Sequence, residues 1–133
     1  CPNCVGFLQG PAFNRFTLDG GAEVFPSELF DGSEQIKCYV RPEEYKALTE
    51  NSFVLGKAPV PLFYGGACDD VNTIGGFANW VQDWEYTACP HCGKPMKYLA
   101  QIQWDILMDG TEGTLYIEFC PDCQIVSMQH QQT

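Results

Sequence analysis

Two Cys-x-x-Cys turns carry the residues of this sequence that are best suited to chemistry. The first pairs Cys89 with Cys92, the second pairs Cys120 with Cys123, and 27 residues separate the two turns. Zinc binds four thiolates in a tetrahedron, and each turn of this kind supplies two of them from one tight bend of the backbone. The pattern predicts one structural zinc site with Cys89, Cys92, Cys120 and Cys123 as its ligands.

Two other interpretations of these cysteines stay open. The chain has 8 cysteines, and secreted proteins often pair such sets as disulfides. Cys-Pro-His-Cys at 89–92 is also the active-site tetrapeptide of strongly oxidising thioredoxin-like proteins, so a thiol–disulfide oxidoreductase using Cys89 and Cys92 is the alternative function. That chemistry needs a helix N-terminus to lower the thiol pKa. Gly93 and Pro95 follow at once and favour a loop instead.

A second group of three cysteines lies in the N-terminal half. Cys1 and Cys4 form another Cys-Pro-x-Cys turn, and Cys38 follows after a strand-like stretch and an Asp-Gly turn. The same order of motifs is found in the C-terminal half. Arg41 stands where a fourth cysteine would complete the pattern. We therefore predict a second, less complete metal site with Cys1, Cys4 and Cys38 as its ligands.

The shared order of motifs predicts a degenerate internal repeat, with halves at about 1–41 and 89–133. Cys68, His130 or a residue preceding Cys1 would complete the N-terminal site; otherwise that site has lost its metal. The chain begins inside a motif and without a methionine, and we expect a fragment or a processed product.

The elements that must position the cysteines are short strands. The sequence has 13 Gly and 9 Pro, a mixture that favours strands and turns over long helices. We predict one mostly β domain over 1–133, built as a small antiparallel sheet with zinc knuckles. Proline followed by acidic residues predicts one short helix over 41–48. Alternating apolar and polar side chains predict strands over residues 13–18, 33–40, 97–107, 114–119 and 124–130.

The net charge of −10 at pH 7 constrains the partner. A zinc ribbon that binds nucleic acid normally carries a basic stripe for the phosphates, whereas the 7 Lys and Arg of this chain do not cluster. We therefore predict no nucleic-acid partner and an acidic surface suited to solubility or to a basic protein. No apolar run is long enough to span a membrane, and no signal peptide is found. We expect a cytoplasmic protein without a membrane partner.

Residues 74–86 combine a glycine pair with dense aromatic side chains. Small metal-binding domains need bulky side chains in their core, and we expect these to lie beneath the zinc knuckle. The alternative is a docking surface, because Trp and Tyr often anchor interfaces. The aromatic residues are Phe77, Trp80, Trp84 and Tyr86.

With these residues in view, the chain resembles the YwqG-like family of uncharacterised proteins and, more distantly, the programmed cell death protein 2 family. The resemblance covers about residues 74–133 and implies a mostly β fold with structural zinc. The eukaryotic relatives are dedicated chaperones of a ribosomal protein, which implies a basic protein client. The matching residues are Ile74-Gly75-Gly76, Trp80, Gln82, Cys89-Pro90-x-Cys92-Gly93-x-Pro95-Met96, Leu99, Gln101, Leu115-Tyr116-Ile117 and Phe119-Cys120-x-x-Cys123.

Taken together, these patterns predict a non-enzymatic, zinc-stabilised protein-interaction module. A zinc ion held by four thiolates has no open position for water. The two histidines, His91 and His130, do not combine with a nucleophile into a catalytic set. The expected ligand is a basic protein client or, in an immunity-type protein, a toxin.

Overall fold

The computed structural model describes residues 10–27, 46, 50, 54, 56, 72–107, 110 and 112–132. In this part of the chain, six strands form one antiparallel sheet in the order β2-β1-β6-β5-β4-β3. The mostly β, antiparallel fold predicted from the sequence is confirmed. The strands are β1 (Ala12–Phe16), β2 (Ala22–Val24), β3 (Thr73–Ile74), β4 (Lys97–Gln103), β5 (Thr114–Cys120) and β6 (Ile125–Gln131).

The N-terminal hairpin joins the same sheet as the C-terminal strands, because β1 pairs with β6 as well as with β2. Its turn follows the predicted Asp-Gly signal. The Asp19 carboxylate accepts hydrogen bonds from the Thr17 hydroxyl and the Gly21 N–H, and Gly20 has a φ of 87°. Glycine adopts that left-handed conformation without steric cost. The hairpin therefore lies beside the two long strands that lead to and from the second cysteine turn.

The strand predicted over 97–107 is shorter and less regular than its alternation suggests. It ends at Gln103, and Trp104–Ile106 forms a single turn of 3-10 helix. A bulge between Tyr98 and Ala100 interrupts the pairing with β5. An extra residue at a bulge reverses which side chains point to each face. Tyr98 is therefore on the same face as Gln101, and not on the face of Ala100 as predicted.

The two faces of the sheet differ in chemistry. One face carries apolar side chains, as predicted for Leu115, Ile117 and Phe119. The opposite face is also buried, yet most of its side chains are polar, which the alternation of the sequence does not predict. Its buried polar and aromatic members are Gln101, Thr114, Tyr116, Glu118, Ser127, Gln129 and Gln131.

Several predicted features lie outside the described residues. They include the strand over 33–40 and most of the helix over 41–48, of which Lys46 is described and helical. Its ammonium lies 3.9 Å from the Glu50 carboxylate one turn later. The repeat and the single-domain boundaries stay predictions. Within the described ranges, no helix has the length and apolar character needed to cross a membrane.

Candidate metal centre

The four cysteines of the C-terminal half converge at one end of the sheet. Their sulfur atoms all lie within 4.8 Å of one another, a grouping that could hold a metal ion. The Cys92 and Cys120 sulfur atoms are 3.8 Å apart. A tetrahedral zinc with Zn–S bonds of about 2.3 Å requires sulfur–sulfur edges of about 3.8 Å. Because all four cysteines are free thiols, the donor set and its spacing fit such an ion.

The first cysteine turn is a tight loop closed by backbone hydrogen bonds. The Cys89 N–H donates to the Lys94 carbonyl at 2.8 Å, and the Gly93 N–H donates back to the Cys89 carbonyl at 2.8 Å. Below them, the Met96 N–H donates to the Thr87 carbonyl at 2.9 Å. Cys89 thus lies in a hairpin-like loop, as the glycine and proline around it predict, and not at a helix N-terminus.

The second cysteine turn joins β5 to β6. Cys120 is the last residue of β5, and Cys123 lies in the turn that precedes Ile125 at the start of β6. The Phe16 N–H, at the end of β1, donates to the carbonyl of Gln124 at 2.9 Å. The N-terminal hairpin therefore fixes the backbone of this turn from the side.

Two of the cysteines belong to the hydrophobic core. Cys89 and Cys120 are buried and pack in one cluster with Phe13, Met96 and Ile125. Cys92 is exposed and Cys123 is intermediate. The cluster is therefore anchored on apolar side chains from β1 and β6 and opens towards the surface on its other side.

The four thiols have unequal pKa values. Burial raises the pKa of Cys89, but the N–H groups of Cys92 and His91 and the thiols of Cys120 and Cys92 lower it, to about 7 in balance. Burial, reinforced by the neighbouring thiols, raises the pKa of Cys123 to about 12. Ionisation of all four thiols at once is unfavourable, because the thiolates lie close together and repel one another. A divalent cation reverses this effect, because metal-bound thiols are deprotonated.

Contacts between the two turns surround the sulfur atoms. The Lys94 ammonium of the first turn lies 2.7 Å from the Asp122 carboxylate of the second. The Nδ1 atom of His91 lies 3.4 Å from the Cys123 sulfur, and its ring meets Phe25 edge-on at 6.4 Å between centroids. Such contacts orient the ligands of a metal site.

The segment 77–88, which we call the strap, crosses the polar face of the sheet and leads into Cys89. The Tyr116 hydroxyl donates to the Asn79 carbonyl at 2.7 Å and accepts the Val81 N–H at 2.9 Å. The Asn79 N–H donates to the Gln101 side-chain oxygen at 2.7 Å. Sheet side chains thus pair with strap backbone, which explains why a polar face can be buried.

The far end of the strap is held by a buried carboxylate. Oε2 of Glu118 accepts the Thr87 N–H at 2.9 Å and the Ser127 hydroxyl at 3.3 Å. No described residue donates to its Oε1 atom. Burial raises the pKa of Glu118 against the opposing effect of these donors. Glu118 thus fixes the backbone two residues before Cys89 and is itself two residues before Cys120.

The aromatic residues of the strap divide between core and surface. Trp80 is buried and stacks on Tyr116, with ring centroids 4.4 Å apart. Phe77 and Trp84 are 85% and 84% exposed. Tyr86 is 50% exposed, although its ring meets Trp80 edge-on with centroids 5.4 Å apart. The prediction that these aromatic residues form core is therefore right for Trp80 and wrong for Phe77, Trp84 and Tyr86. Periodicity could not separate them, because the strap is neither helix nor strand and hydrogen bonds decide which side chains turn outward.

Cys1, Cys4 and Cys38 lie outside the described residues, and the second metal site stays a prediction. Of the side chains considered for its fourth ligand, His130 is described. Its Nε2 atom lies 2.9 Å from the Glu112 carbonyl oxygen. Its ring meets the Trp104 ring edge-on, with centroids 4.3 Å apart.

Comparison with known proteins gives one similarity to report. The chain is 35% identical over 82 residues to the protein named "Uncharacterized protein YpfL" of Salmonella typhimurium strain LT2. The matched region covers 59% of this chain and 19% of that protein, so the chain spans about a fifth of the length of the curated relative it matches. No family model and no solved structure matches the chain.

Proposed function

We propose that this chain is a non-enzymatic, zinc-stabilised protein-interaction module with a basic protein as its partner. The observation that carries the proposal is the group of four sulfur atoms within 4.8 Å of one another. Zinc suits an all-thiolate set better than magnesium or calcium, which prefer oxygen ligands. Its ligands would be Cys89, Cys92, Cys120 and Cys123.

The role we assign to the metal is structural. Four thiolates close a tetrahedral site, so no position is left for a reacting water. The ion would tie the loop after the strap to the turn between β5 and β6. Those two segments are distant in sequence but close in space, and a metal that joins them stabilises the folded state directly.

The charge of the chain favours a basic partner. The formal net charge is −10, and four thiolates with one Zn²⁺ add −4 + 2 = −2, which gives about −12. The resemblance to the programmed cell death protein 2 family, with its ribosomal client, points to the same class of partner. Free thiols suit a reducing compartment, and we propose the cytoplasm.

The alternative function, a thiol–disulfide oxidoreductase, has one observation in its favour, because the pKa of Cys89 is lowered to about 7. The geometry opposes it. Cys89 is 1% exposed, whereas a nucleophilic thiol must reach the disulfide that it attacks. Cys92 is exposed, but it lies in a turn without the helix N-terminus that activates such thiols.

Metal content is the first test. Native mass spectrometry of protein purified without added metal is expected to show bound zinc, which the Cys120→Ser variant loses together with its cooperative melting. Cys38→Ser is the matched comparison, because it removes a cysteine from the predicted second site. A metal-free wild-type protein with an unchanged melting temperature after chelation would overturn the zinc half of the proposal. Alkylation of Cys89 in the native zinc-loaded protein would favour the oxidoreductase.

The partner is tested separately. Purified basic ribosomal proteins are titrated against the zinc-loaded protein, with an acidic protein of similar size as the control. We expect saturable binding that weakens as salt is added, because exposed charges are screened within about 8 Å at physiological ionic strength. Binding that is equal for basic and acidic proteins would refute the basic partner while leaving the zinc site intact.

A further inference from the structure

An exposed tryptophan of the strap has an acidic residue on each side of it in the sequence. Trp84 is 84% exposed, and its neighbours in the chain are Asp83 and Glu85. Large aromatic side chains are normally buried, and each then removes about 150–250 Å² of its surface from water. Leaving an indole of this size in water gives up that stabilisation, which makes Trp84 a candidate contact for another molecule.

The backbone on both sides of Trp84 is fixed from below by the sheet. The Gln131 side-chain amide donates to the Asp83 carbonyl at 3.1 Å, and the Gln129 side-chain amide donates to the Glu85 carbonyl at 2.6 Å. Gln129 and Gln131 are both buried. The strap therefore holds the tryptophan on a rigid support, which lowers the conformational entropy lost on binding.

The same glutamine also positions one of the carboxylates. Nε2 of Gln131 lies 3.2 Å from Oε2 of Glu85. Glu85, the next residue after Trp84 in the chain, therefore has its carboxylate held by the sheet. The face of an indole ring attracts cations, and the acidic residues on both sides of Trp84 in the sequence add negative charge to this part of the strap.

The charged side chains of the segment around Trp84 have a single sign. Residues 72–88 contain two acidic side chains, Asp83 and Glu85, and no Lys, Arg or His. The cysteine turn that follows would carry a net charge of about −2 with zinc bound. A cation near the strap therefore meets no basic side chain of this segment, and both the indole face and the carboxylates attract it.

We propose that Trp84, Asp83 and Glu85 form a docking site for an arginine side chain of a basic protein segment. Arginine fits better than lysine, because its planar guanidinium stacks on an indole and also donates to two carboxylate oxygens at once. This inference rests on the proposed function, since it names the surface on which the basic partner binds.

The test uses the full zinc-loaded chain and a nona-arginine peptide as the probe. A nona-citrulline peptide, which has the same shape without the charge, is the control. In NMR spectra the 3 tryptophans give separate indole N–H signals, and Trp84→Phe identifies the signal of Trp84. We expect that signal to shift and saturate with nona-arginine, to stay unchanged with nona-citrulline, and to shift more than those of Trp80 and Trp104.

Affinity measurements complete the test. Trp84→Ala is expected to weaken nona-arginine binding about 2- to 5-fold, since an exposed cation–π contact contributes about 0.5–1 kcal/mol. Asp83→Asn and Glu85→Gln are each expected to weaken it about 2-fold, more strongly at low salt. Leu18→Ala removes an apolar side chain that is 95% exposed on the β1–β2 turn, and it is expected to leave the affinity unchanged.

The outcomes separate this inference from the proposed function. If Trp84→Ala binds nona-arginine as tightly as Leu18→Ala does, or the Trp84 indole stays unshifted at saturation, the docking site is wrong. Zinc content and salt-sensitive binding of a ribosomal protein are measured on the same Trp84→Ala preparation. If both persist at wild-type strength, the interaction module stands and its contact lies elsewhere. If the wild-type binds neither zinc nor a basic protein, the proposed function fails first.

Discussion

Gln124 adopts, at the second cysteine turn, the left-handed backbone that Gly93 adopts at the first. Their φ angles are 56° and 70°. Each is the residue that directly follows the second cysteine of its turn. The two turns therefore share a backbone conformation at this position, although glycine supports it at one and glutamine at the other.

This equivalence predicts opposite effects for two substitutions. Gln124→Gly should raise the free energy of unfolding by about 0.5–1 kcal/mol. It relieves the steric strain of a non-glycine residue in the left-handed conformation, which is about 1–2 kcal/mol. Part of this gain is offset because glycine loses more conformational entropy on folding. Gly93→Ala should lower the free energy of unfolding by about 1 kcal/mol. No atom lies within 4 Å of a Cβ built at Gly93, so the loss would be conformational and not steric.

Chemical denaturation of the zinc-loaded proteins measures both effects. The two variants change opposite residues at equivalent positions, and each serves as the control for the other. If both lower stability by similar amounts, side-chain contacts and not backbone conformation determine the residue at this position.

The cysteine grouping could be predicted from sequence because it depends on local geometry. Each Cys-x-x-Cys unit brings its own pair of sulfur atoms together, and the strands predicted between Cys92 and Cys120 return the chain to where it started. The structure brings the four sulfur atoms within 4.8 Å of one another. The identity of a bound metal does not follow from this spacing alone.

The polar face could not be predicted in the same way. Ser127, Gln129 and Gln131 occupy every second position of β6, and a row of polar side chains at this spacing is typical of a face in water. The two glutamines are buried because their amides bind the strap backbone, whose carbonyls belong to Asp83 and Glu85. That pairing spans more than 40 positions of the chain, and no local pattern contains it. The bulge at Tyr98 has the same origin, since it depends on the pairing with β5.

The hydroxyl of Tyr116 is predicted to hold the strap to the sheet. Tyr116→Phe leaves the Val81 N–H and the Asn79 carbonyl without this partner at a partly buried position, and each such loss costs about 1–3 kcal/mol where the group is shielded from water. We therefore expect a drop of about 2 kcal/mol or more in the free energy of unfolding. We also expect faster transfer of zinc to a chelator, because the strap leads directly into Cys89.

Tyr98→Phe is the matched control for this measurement. It removes the same hydroxyl from the same sheet face, but that hydroxyl bonds the Thr73 side chain at 2.6 Å and the Gln101 side-chain oxygen at 3.4 Å, and so reaches the strap backbone only indirectly, through Gln101. Zinc transfer should then stay close to the wild-type rate. Equal acceleration in both variants would show that the strap does not control access to the metal.

Stability at alkaline pH is predicted to depend on Tyr98. Burial raises the pKa of Tyr98 to about 12, above the ordinary tyrosine value of about 10. The folded state therefore favours the neutral phenol. The contribution of the neutral Tyr98 phenol to the free energy of unfolding is fully present below about pH 10 and is lost as the pH rises through about 12.

Tyr98→Phe should make the fall in stability between about pH 10 and 12 shallower. The measurement is chemical denaturation at a series of pH values, with phenolate absorbance recorded in parallel. Burial also raises the pKa of Tyr116, so part of the slope is expected to persist in the variant. A slope identical to that of the wild-type would show that Tyr98 ionises as readily in the folded chain as in the unfolded one.

Phe13 is predicted to couple the N-terminal hairpin to the four-cysteine cluster. It is buried in one cluster with Cys89, Cys120, Met96 and Ile125, although it lies far from both cysteine turns in sequence. Phe13→Ala removes the ring from behind two of the four thiols. We expect a loss of about 3–5 kcal/mol, the range for truncating a buried phenylalanine, together with faster zinc release.

Phe16→Ala changes another residue of β1 and is the control for this prediction. It shows how much of the effect comes from weakening the strand and how much from losing the contact with the cysteines. Phe16 is 42% exposed, and its backbone N–H, which bonds the Gln124 carbonyl, is kept in the variant. Its loss of stability should therefore be much smaller, with zinc release near the wild-type rate. If zinc leaves Phe13→Ala no faster than Phe16→Ala, the hairpin contributes stability to the sheet but does not support the cysteine cluster. Faster release from Phe13→Ala alone would instead make the apolar packing behind Cys89 and Cys120 part of what retains the metal.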